Sequence, residues 1–449
     1  MNVFERLARL AIHIPELLLP RRDIDIGSWA VIACDQFTQD RDYWRRAEER
    51  AGKGPSALRL IFPEVFLDDP GRGERIRAIH RTMRAYVGEA VFEFPGQGVM
   101  YIERSTPRHP CRRGLILAID LEHYDWTPGA RTLIRATEGT VPERILPRME
   151  IRRGAALESP HILLLIDDPE DRIMGLLGEA AKKREKAYQG TLMLDSGAVS
   201  GWFLDKTEDF VLLADEFELL AAKALTRYGP AGEKPFLFAS GDGNHSLATA
   251  KAVWEEYKAS HRGEKDLDHH PGRYALVEVE NIYDPGVDFE PIHRIIFGAG
   301  EELEASLKAL PGFTSRTTGA DRLPELLAEQ GTGQDTGQGT GKTRYGLVQG
   351  PRRVLIETSA PGMAAAPLQP ILDDFVKQHA VSMDYIHGTE ACLRLALDRP
   401  QAAAILLPPV KKEELFSTVF QSGPLPRKSF SMGEAPEKRF YLECRKLFR

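Results

Sequence analysis

The chain has 449 residues, 42% hydrophobic and 28% charged, a balance that supports a folded globular protein with room for two or three lobes. Its net charge of −7 argues against a role that depends on wrapping nucleic acid, because neutralising phosphates needs a basic surface. The four cysteines, Cys34, Cys111, Cys392 and Cys444, are far apart, which argues against a disulfide scaffold or structural zinc and for a reducing compartment.

No apolar run approaches the ~20 residues that a membrane helix needs. Residues 1–22 mix arginines with leucines, but Glu5 and Glu16 interrupt them and no signal-peptide cleavage pattern follows. The segment reads as mature protein, and the expected location is the cytoplasm. Residues 29–33 then read as a buried strand and 41–50 as a helix capped by Asp40. Ile76, Ile79, Met83 and Tyr86 recur at helical spacing, which predicts an amphipathic helix over about 73–87. The runs 91–94 and 99–103 flank Pro95-Gly96-Gln97-Gly98 and read as a hairpin.

Strands are expected at 114–121 and 161–166, and helices at 171–187 and 215–228. A strand over 236–239 runs into Gly241-Asp242-Gly243-Asn244 and a long helix from His245, followed by strands at 274–280 and 292–297. After a region of different texture, a hairpin is expected over 345–358. Helices at 368–379, 389–397 and 411–420 then alternate with strands at 403–407 and 440–443. The alternation predicts the α/β class, with α+β as the alternative. The expected division is a main α/β region over 1–300, carrying the Asp35, Glu138, Asp242 and His293 motifs, and a C-terminal α/β lobe over 301–449. That lobe includes a flexible Gly/Thr/Gln loop at 331–343.

Gly339-Thr340-Gly341-Lys342-Thr343 ends like a phosphate-binding loop, but Thr336 stands where that pattern needs its first glycine, and no strand precedes it. It reads as a surface loop. The stronger signal is Gly241 to Ser246. A strand entering a glycine turn and then a helix aims backbone N–H groups at one spot, where the helix dipole favours an anion. The same residues also suit a capped tight turn. Asp35 and Gln36 follow a strand, where α/β sheets bind ligands. Arg135 and Glu138, with Arg144 beyond, suit phosphate or amino-acid handling, or surface ion pairing. His293-Arg294 and Lys428 complete five polar clusters, each at a strand end or in an adjoining loop. The tandem His269-His270 lacks an i, i+4 partner and does not read as a metal site.

These segments, in this order and over nearly the whole chain, resemble the domain-of-unknown-function 1015 family. The resemblance is carried by Trp29-Ala-Val-Ile-Ala-Cys-Asp-Gln36, Gly241-Asp-Gly-Asn-His-Ser-Leu-Ala-Thr-Ala-Lys251, Asn281-Ile-Tyr-Asp-Pro-Gly286 with His293-Arg294, and Pro426-Arg-Lys-Ser429. The Asp242-Gly243-x-His245 element is also similar to the Asp-Gly-His-His-Arg motif of free-serine kinases related to the ParB and sulfiredoxin fold. In those proteins a turn at a helix start holds nucleotide phosphates, and an acidic residue activates the serine hydroxyl. Here Asn244 replaces the first histidine and Ser246 the arginine, so Arg135, Arg144, Arg294 or Lys428 would supply the missing charge.

The resemblance implies a mixed-sheet core like the ParB/sulfiredoxin fold with additional lobes. It also implies a small-molecule phosphotransferase acting on a hydroxylated amino acid such as serine, with ATP or ADP and Mg²⁺. Its catalytic set is Asp35, Glu138, Asp242 and His245. Asp35 or Glu138 takes the substrate proton, and Asp242 sits near Mg²⁺. The phosphate- and substrate-binding set is Gln36, Arg135, Arg144, Gly243, Asn244, Ser246, His293, Arg294 and Lys428. The alternatives are a non-catalytic nucleotide- or metabolite-binding regulator, a phosphoserine-type phosphatase, and a metal-dependent hydrolase using Asp35, Asp242, His245 and His293. The expected partner is a small anionic substrate, with no nucleic acid and no membrane; a homo-oligomer is compatible with the sequence. Asp35, Arg135, Glu138, Asp242, His245 and His293 are expected to line one concave site.

Overall fold

The computed structural model describes residues 1–127, 129–229, 234–263, 265–300, 302–319, 322–329, 342–399 and 401–448. They form two compact units, one of Met1–Val287 with Glu434–Arg449 and the other of Asp288–Gly433. The division therefore lies at 287 and 433, where the sequence suggested 300. The strand Phe289–Phe297 belongs to the second unit, and the C-terminal segment returns to the first by pairing Phe440–Tyr441 with Val31–Ile32 and Arg445–Lys446 with Leu157–Glu158.

In the first unit, helix α1 (Arg41–Ala51) starts where the Asp40 carboxylate accepts the Tyr43 N–H at 2.9 Å, the capping expected from the sequence. Helix α2 (Arg72–Gly88) buries Ile76, Ile79, Met83 and Tyr86, the four positions that the helical period selects. Further along come β1 (Val99–Ser105), β2 (Arg112–Asp120), β3 (Ile134–Ala136), α3 (Pro142–Arg152) and β4 (Leu163–Ile166). Then follow α4 (Arg172–Ala181), β5 (Tyr188–Thr191), β6 (Ala198–Leu204), α5 (Thr207–Tyr228), β7 (Phe238–Asp242), α6 (Asn244–Ser260) and β8 (Tyr274–Asn281).

These strands make one mixed sheet in the order β5-β6-β1-β2-β8-β4-β7-β3. Alternation along β2 divides the apolar side chains between two cores. Leu115, Leu117 and Ile119 pack with α4 and α5, while Ile116 packs with α1 and α2. With both faces covered, the central strands are continuous apolar runs, as in Leu163–Ile166.

The topology brings three chain ends together. β7 runs parallel to β3 and antiparallel to β4, with Ser240 opposite Ala136 and Asp242 opposite Leu163. The residues after β3, those after β7 and those before β4 therefore meet at one end of the sheet.

Two local expectations differ from the structure. Residues 26–29 are a helical turn, and only Val31–Ile32 is strand, because a short apolar run does not distinguish a buried turn from a buried strand. The hairpin at Pro95–Gly98 does not form. Phe92–Gln97 pairs with Glu16–Pro20, whereas β1 pairs with β2 and β6. At Gly98 the chain passes so close to β6 that a Cβ would lie 2.4 Å from the Phe203 ring, and the strand leaves one sheet for another there.

The C-terminal segment crosses the first unit over a buried charge network of Arg104, Arg112, Arg439, Glu278, Glu280, Glu437 and Glu443. Arg439 bridges Glu278 at 3.0 Å and also pairs with Glu443; Arg112 meets Glu280 at 2.8 Å. Three guanidinium groups face four carboxyls, and a neutral Glu280 balances them. Burial pushes its carboxyl up to about 8, against the pull of Arg112 and with a further push from Glu278. Because the folded pKa is raised, the stabilisation is complete below the unfolded value near 4.5 and is lost as pH rises through about 8. Melting curves should thus show the wild type losing more stability than Glu280→Gln between about pH 5 and pH 8. Parallel curves for the two proteins would show that Glu280 is ionised when folded.

Among the described residues the second unit is a seven-stranded sheet with helices, six strands lying in a row and the seventh, Phe430–Met432, pairing with Phe289–Pro291. The six in the row are β9 (Phe289–Phe297), β10 (Thr314–Thr317), β11 (Thr343–Gln349) and β12 (Arg352–Thr358), then β13 (Ser382–His387) and β14 (Ala402–Leu406). They lie in the order β10-β12-β11-β14-β9-β13, with helices α7 (Ala365–His379) and α8 (Thr389–Asp398) packed on them. The expected hairpin is β11–β12. Residues 331–341 of the expected flexible loop lie outside the described residues, and Thr343 opens a strand where a phosphate loop would open a helix. Among the described residues no helix is long and apolar enough to cross a membrane.

Candidate active site

The end of the sheet where β3, β4 and β7 meet carries a cluster of polar side chains. Gly243 caps α6 in the left-handed region, at φ +76°. A Cβ there would lie 3.1 Å from Ile162 Cα and 3.5 Å from the His161 ring. The glycine thus turns the chain and lets α6 start directly against the segment entering β4. The missing side chain makes room for Ile162 and His161.

Asn244 and His245 tie the start of α6 to the loop after β3. Asn244 Nδ2 reaches Thr137 Oγ1 at 3.5 Å, and the Val141 N–H donates to His245 Nε2 at 3.3 Å. Glu138 lies between those two tethers, half-buried, at the same end of the sheet as Asp242. Asn244 Oδ1 is buried without a hydrogen-bond partner among the described residues, an acceptor available to a ligand donor.

Ser246, in the first turn of α6, hydrogen-bonds His161 Nε2 at 2.7 Å. His161 Nδ1 contacts the Tyr441 hydroxyl at 2.6 Å, and that hydroxyl lies 3.1 Å from Cys34 Sγ. Burial lowers the His161 pKa against the pull of Asp35 and Asp242, so the imidazole is neutral at neutral pH. Burial raises the Cys34 thiol far above its usual range, which makes it a poor nucleophile.

Asp35 lies beside this chain of contacts and accepts from Gln36 Nε2 at 3.0 Å. Burial pushes its carboxyl up, but His161, Gln36, Lys438 and Arg148 outweigh burial and hold it below the usual range. Lys438 Nζ pairs with Asp242 Oδ2 at 3.0 Å. Arg104 and Arg112 hold the Lys438 segment through backbone carbonyls. Arg112 donates to Glu437 O at 2.6 Å, and Arg104 donates to the carbonyls of Pro436, Glu437 and Lys438. Arg148 pairs with Glu64, whose carboxyl burial raises although Arg148 opposes it. A cavity of about 150 Å³ adjoins the cluster, lined by Cys34, Glu64, Arg148, His161, Ser246 and Tyr441 and closed by apolar walls such as Phe62, Met83 and Ile151.

Of the residues expected from sequence, Asp35, Gln36, Glu138, Asp242, Gly243, Asn244, His245 and Ser246 belong to this end of the first unit. Arg144 stands exposed on the first turn of α3 and contributes its field to Glu64. Arg135 is a correction. Its guanidinium covers the Phe236 ring at 4.6 Å and donates to Thr132 O at 3.1 Å, at the strand starts, away from Asp242.

His293, Arg294 and Lys428 belong to the second unit. His293 Nδ1 accepts the Leu407 N–H at 3.1 Å, and Nε2 contacts Thr389 Oγ1 at 3.0 Å. Arg294 is buried, donating to Gln369 at 3.0 Å and covering the Tyr385 ring. Both are committed to packing there. Among the described residues no group of three or more His, Cys, Asp or Glu side chains is placed to hold a metal ion.

Sequence reasoning missed His161, Tyr441, Lys438, Arg148 and Glu64. Ser159-Pro160-His161 before an apolar run was a readable signal, since a polar residue at a strand entrance lies where ligands bind. Lys438 and Tyr441 carried none, because only tertiary pairing brings the C-terminal segment here.

Residues 18–374 match the family described as a protein of unknown function, DUF1015, and the chain belongs to that family. Lys438 and Tyr441 lie beyond the matched region. No curated protein matches the sequence. Similar solved structures include a conserved hypothetical protein from Pyrococcus furiosus, 12% identical over 73% of this chain and 90% of that one, with a TM-score of 0.34. Others are a free serine kinase variant in complex with ADP (11% identity, 74% and 92% covered, TM-score 0.38) and SbnI with a C-terminal truncation from Staphylococcus aureus (11% identity, 73% and 82% covered, TM-score 0.34). These likenesses are distant.

Proposed function

We propose that the end of the sheet at β3, β4 and β7 is a nucleotide-phosphate site. In this reading the protein is a small-molecule phosphotransferase acting on a hydroxylated amino acid such as serine, with ATP or ADP as donor. The observation that carries it is the Asp35 carboxylate, which accepts from Gln36 at 3.0 Å and lies in the field of Lys438 and Arg148, with Lys438 paired to Asp242 at the start of α6. Phosphoryl transfer needs positioned cations, a helix N-terminus for phosphate oxygens and a carboxylate that orients the acceptor hydroxyl. Lys438 and Arg148 supply the charge that the arginine replaced by Ser246 would otherwise provide. Asp35 takes the acceptor's proton, and Asn244 and the Thr137–Val141 loop position the ligand.

Mg²⁺ commonly binds through one or two carboxylates plus substrate phosphates, and Asp242, at the end of β7 where α6 begins, is the carboxylate that would contribute here. When bound, the ion would neutralise charge on the phosphates; Asp242 would hold it.

Calorimetric titration with ATP, ADP and phosphoserine, beside an assay for phosphate transfer to serine, tests the proposal. Lys438→Gln should weaken nucleotide affinity by about tenfold or more, the scale of a lost buried charge contact. Absence of nucleotide binding by the wild type would sink the proposal. Binding without transfer would select the regulator reading instead.

A further inference from the structure

Ser246, His161 and Tyr441 lie in line, a hydroxyl, an imidazole and a phenol joined by hydrogen bonds. Ser246 Oγ lies 2.7 Å from His161 Nε2, and His161 Nδ1 lies 2.6 Å from the Tyr441 hydroxyl. This is the arrangement that activates a serine for covalent catalysis: a hydroxyl within reach of an imidazole whose second nitrogen is fixed by a third group. The Tyr441 oxygen also accepts the Cys34 N–H at 3.3 Å and can donate to Cys34 Sγ at 3.1 Å. With its proton directed to Cys34, Tyr441 accepts from His161 Nδ1–H, and Nε2 is left as the acceptor for the serine proton. Ser246 and His161 both line the cavity of about 150 Å³, so a substrate placed there meets Oγ directly. A capping serine needs none of this, since its usual partner is a backbone N–H.

We infer that Ser246 is a covalent nucleophile toward phosphorus electrophiles, with His161 as its base and Tyr441 as a positioning residue. The identity of the phosphoryl donor rests on the phosphotransferase reading; the nucleophile does not.

In the first half-reaction Ser246 Oγ bonds to the terminal phosphorus of the nucleotide. The bond from that phosphorus to the bridging oxygen breaks, and its electron pair leaves with the shortened nucleotide. The serine proton moves to His161 Nε2. In the second half the acceptor hydroxyl gives its proton to Asp35 and attacks the phosphoserine. The bond from Ser246 Oγ to phosphorus breaks, and His161 returns its proton to Oγ. Asp35 then releases the acceptor's proton to solvent, the net proton of the reaction. Arg148, whose charge acts on His161, lines the same cavity as Ser246 and would offset charge on the phosphoryl oxygens there.

The test uses the full chain and two probes: a fluorophosphonate, which reports serine nucleophilicity without any nucleotide, and ATP or ADP labelled in the terminal phosphate. Peptide mass mapping should place both labels on Ser246, and Ser246→Ala should carry neither. His161→Gln should slow labelling at least about 100-fold, the usual scale of general-base catalysis. Tyr441→Phe should slow maximal labelling about tenfold, the worth of one ordinary hydrogen bond, with the half-saturating probe concentration unchanged. Melting curves establish that each variant is folded; should Ser246→Ala be unfolded, Ser246→Thr keeps a hydroxyl nucleophile and should still be labelled, more slowly.

Fluorophosphonate labelling of Ser246 with no phosphoryl transfer from any nucleotide supports the nucleophile and overturns the phosphotransferase reading alone. Phosphate transfer to serine that persists in folded Ser246→Ala, with no label on Ser246 from either probe, overturns the inference and leaves that reading standing.

Discussion

Asp35→Asn is expected to bind ATP and ADP at least as tightly as the wild type and to transfer phosphate at least about 100-fold more slowly. The two effects separate because the substitution changes charge and basicity while keeping shape. Asparagine preserves the oxygen that accepts from Gln36 Nε2 at 3.0 Å, so the loop after Val31–Ile32 keeps its local geometry. It removes a negative charge from beside His161, Lys438 and Arg148, and an anionic nucleotide gains from that. What is lost is the group that takes the acceptor's proton. Because the Asp35 pKa lies below the usual carboxylate range, loss of the wild-type base as pH falls is delayed to below that range, and an earlier decline would report protonation of His161. Turnover by Asp35→Asn at the wild-type rate, with Glu138→Gln taking the large loss instead, would move the base to Glu138.

Legibility from sequence followed how local each constraint is. The Asp40 cap, the buried stripe of α2 and the turn into α6 are fixed within a few residues, by side-chain capping, helical period and a left-handed glycine. Half of the candidate site was readable for that reason, since Asp242 to Ser246 carries its chemistry in one turn. The other half depends on pairing. His161 arrives only because β4 runs antiparallel to β7, and Lys438 and Tyr441 only because the C-terminal segment returns to Val31–Ile32. Arg135 shows the reverse error. Its place beside Glu138 in sequence suggested phosphate binding, but its side chain points toward Phe236 and the other end of the strand. A side chain within a strand stands on a face of the sheet, whereas the residues after the strand lie at its end, a distinction that needs the strand's bounds and register.

Gly243→Val should cost the first unit several kcal/mol and abolish phosphate-ligand binding. Two separate penalties add. A β-branched residue at φ +76° is strained, since even an unbranched residue in the left-handed region costs about 1–2 kcal/mol. Its Cβ would also sit 3.1 Å from Ile162 Cα, a backbone atom that cannot rotate aside, and overpacking of this kind costs about 1–3 kcal/mol. Against a typical stability of roughly 5–15 kcal/mol the protein stays folded with a lowered melting temperature. Binding suffers for a different reason. Pushing α6 away from Ile162 and His161 separates Ser246 from the imidazole at 2.7 Å and moves Asp242 from Lys438 at 3.0 Å. Gly243→Ala and Gly243→Asn divide the two penalties. Both add the Cβ, but asparagine tolerates the left-handed conformation better, so the difference in their melting temperatures reads the backbone strain and the loss they share reads the contact with Ile162. If ATP, ADP and phosphoserine bind all three variants as they bind the wild type, then the turn is a cap alone, and the nucleotide site must be sought elsewhere on the chain.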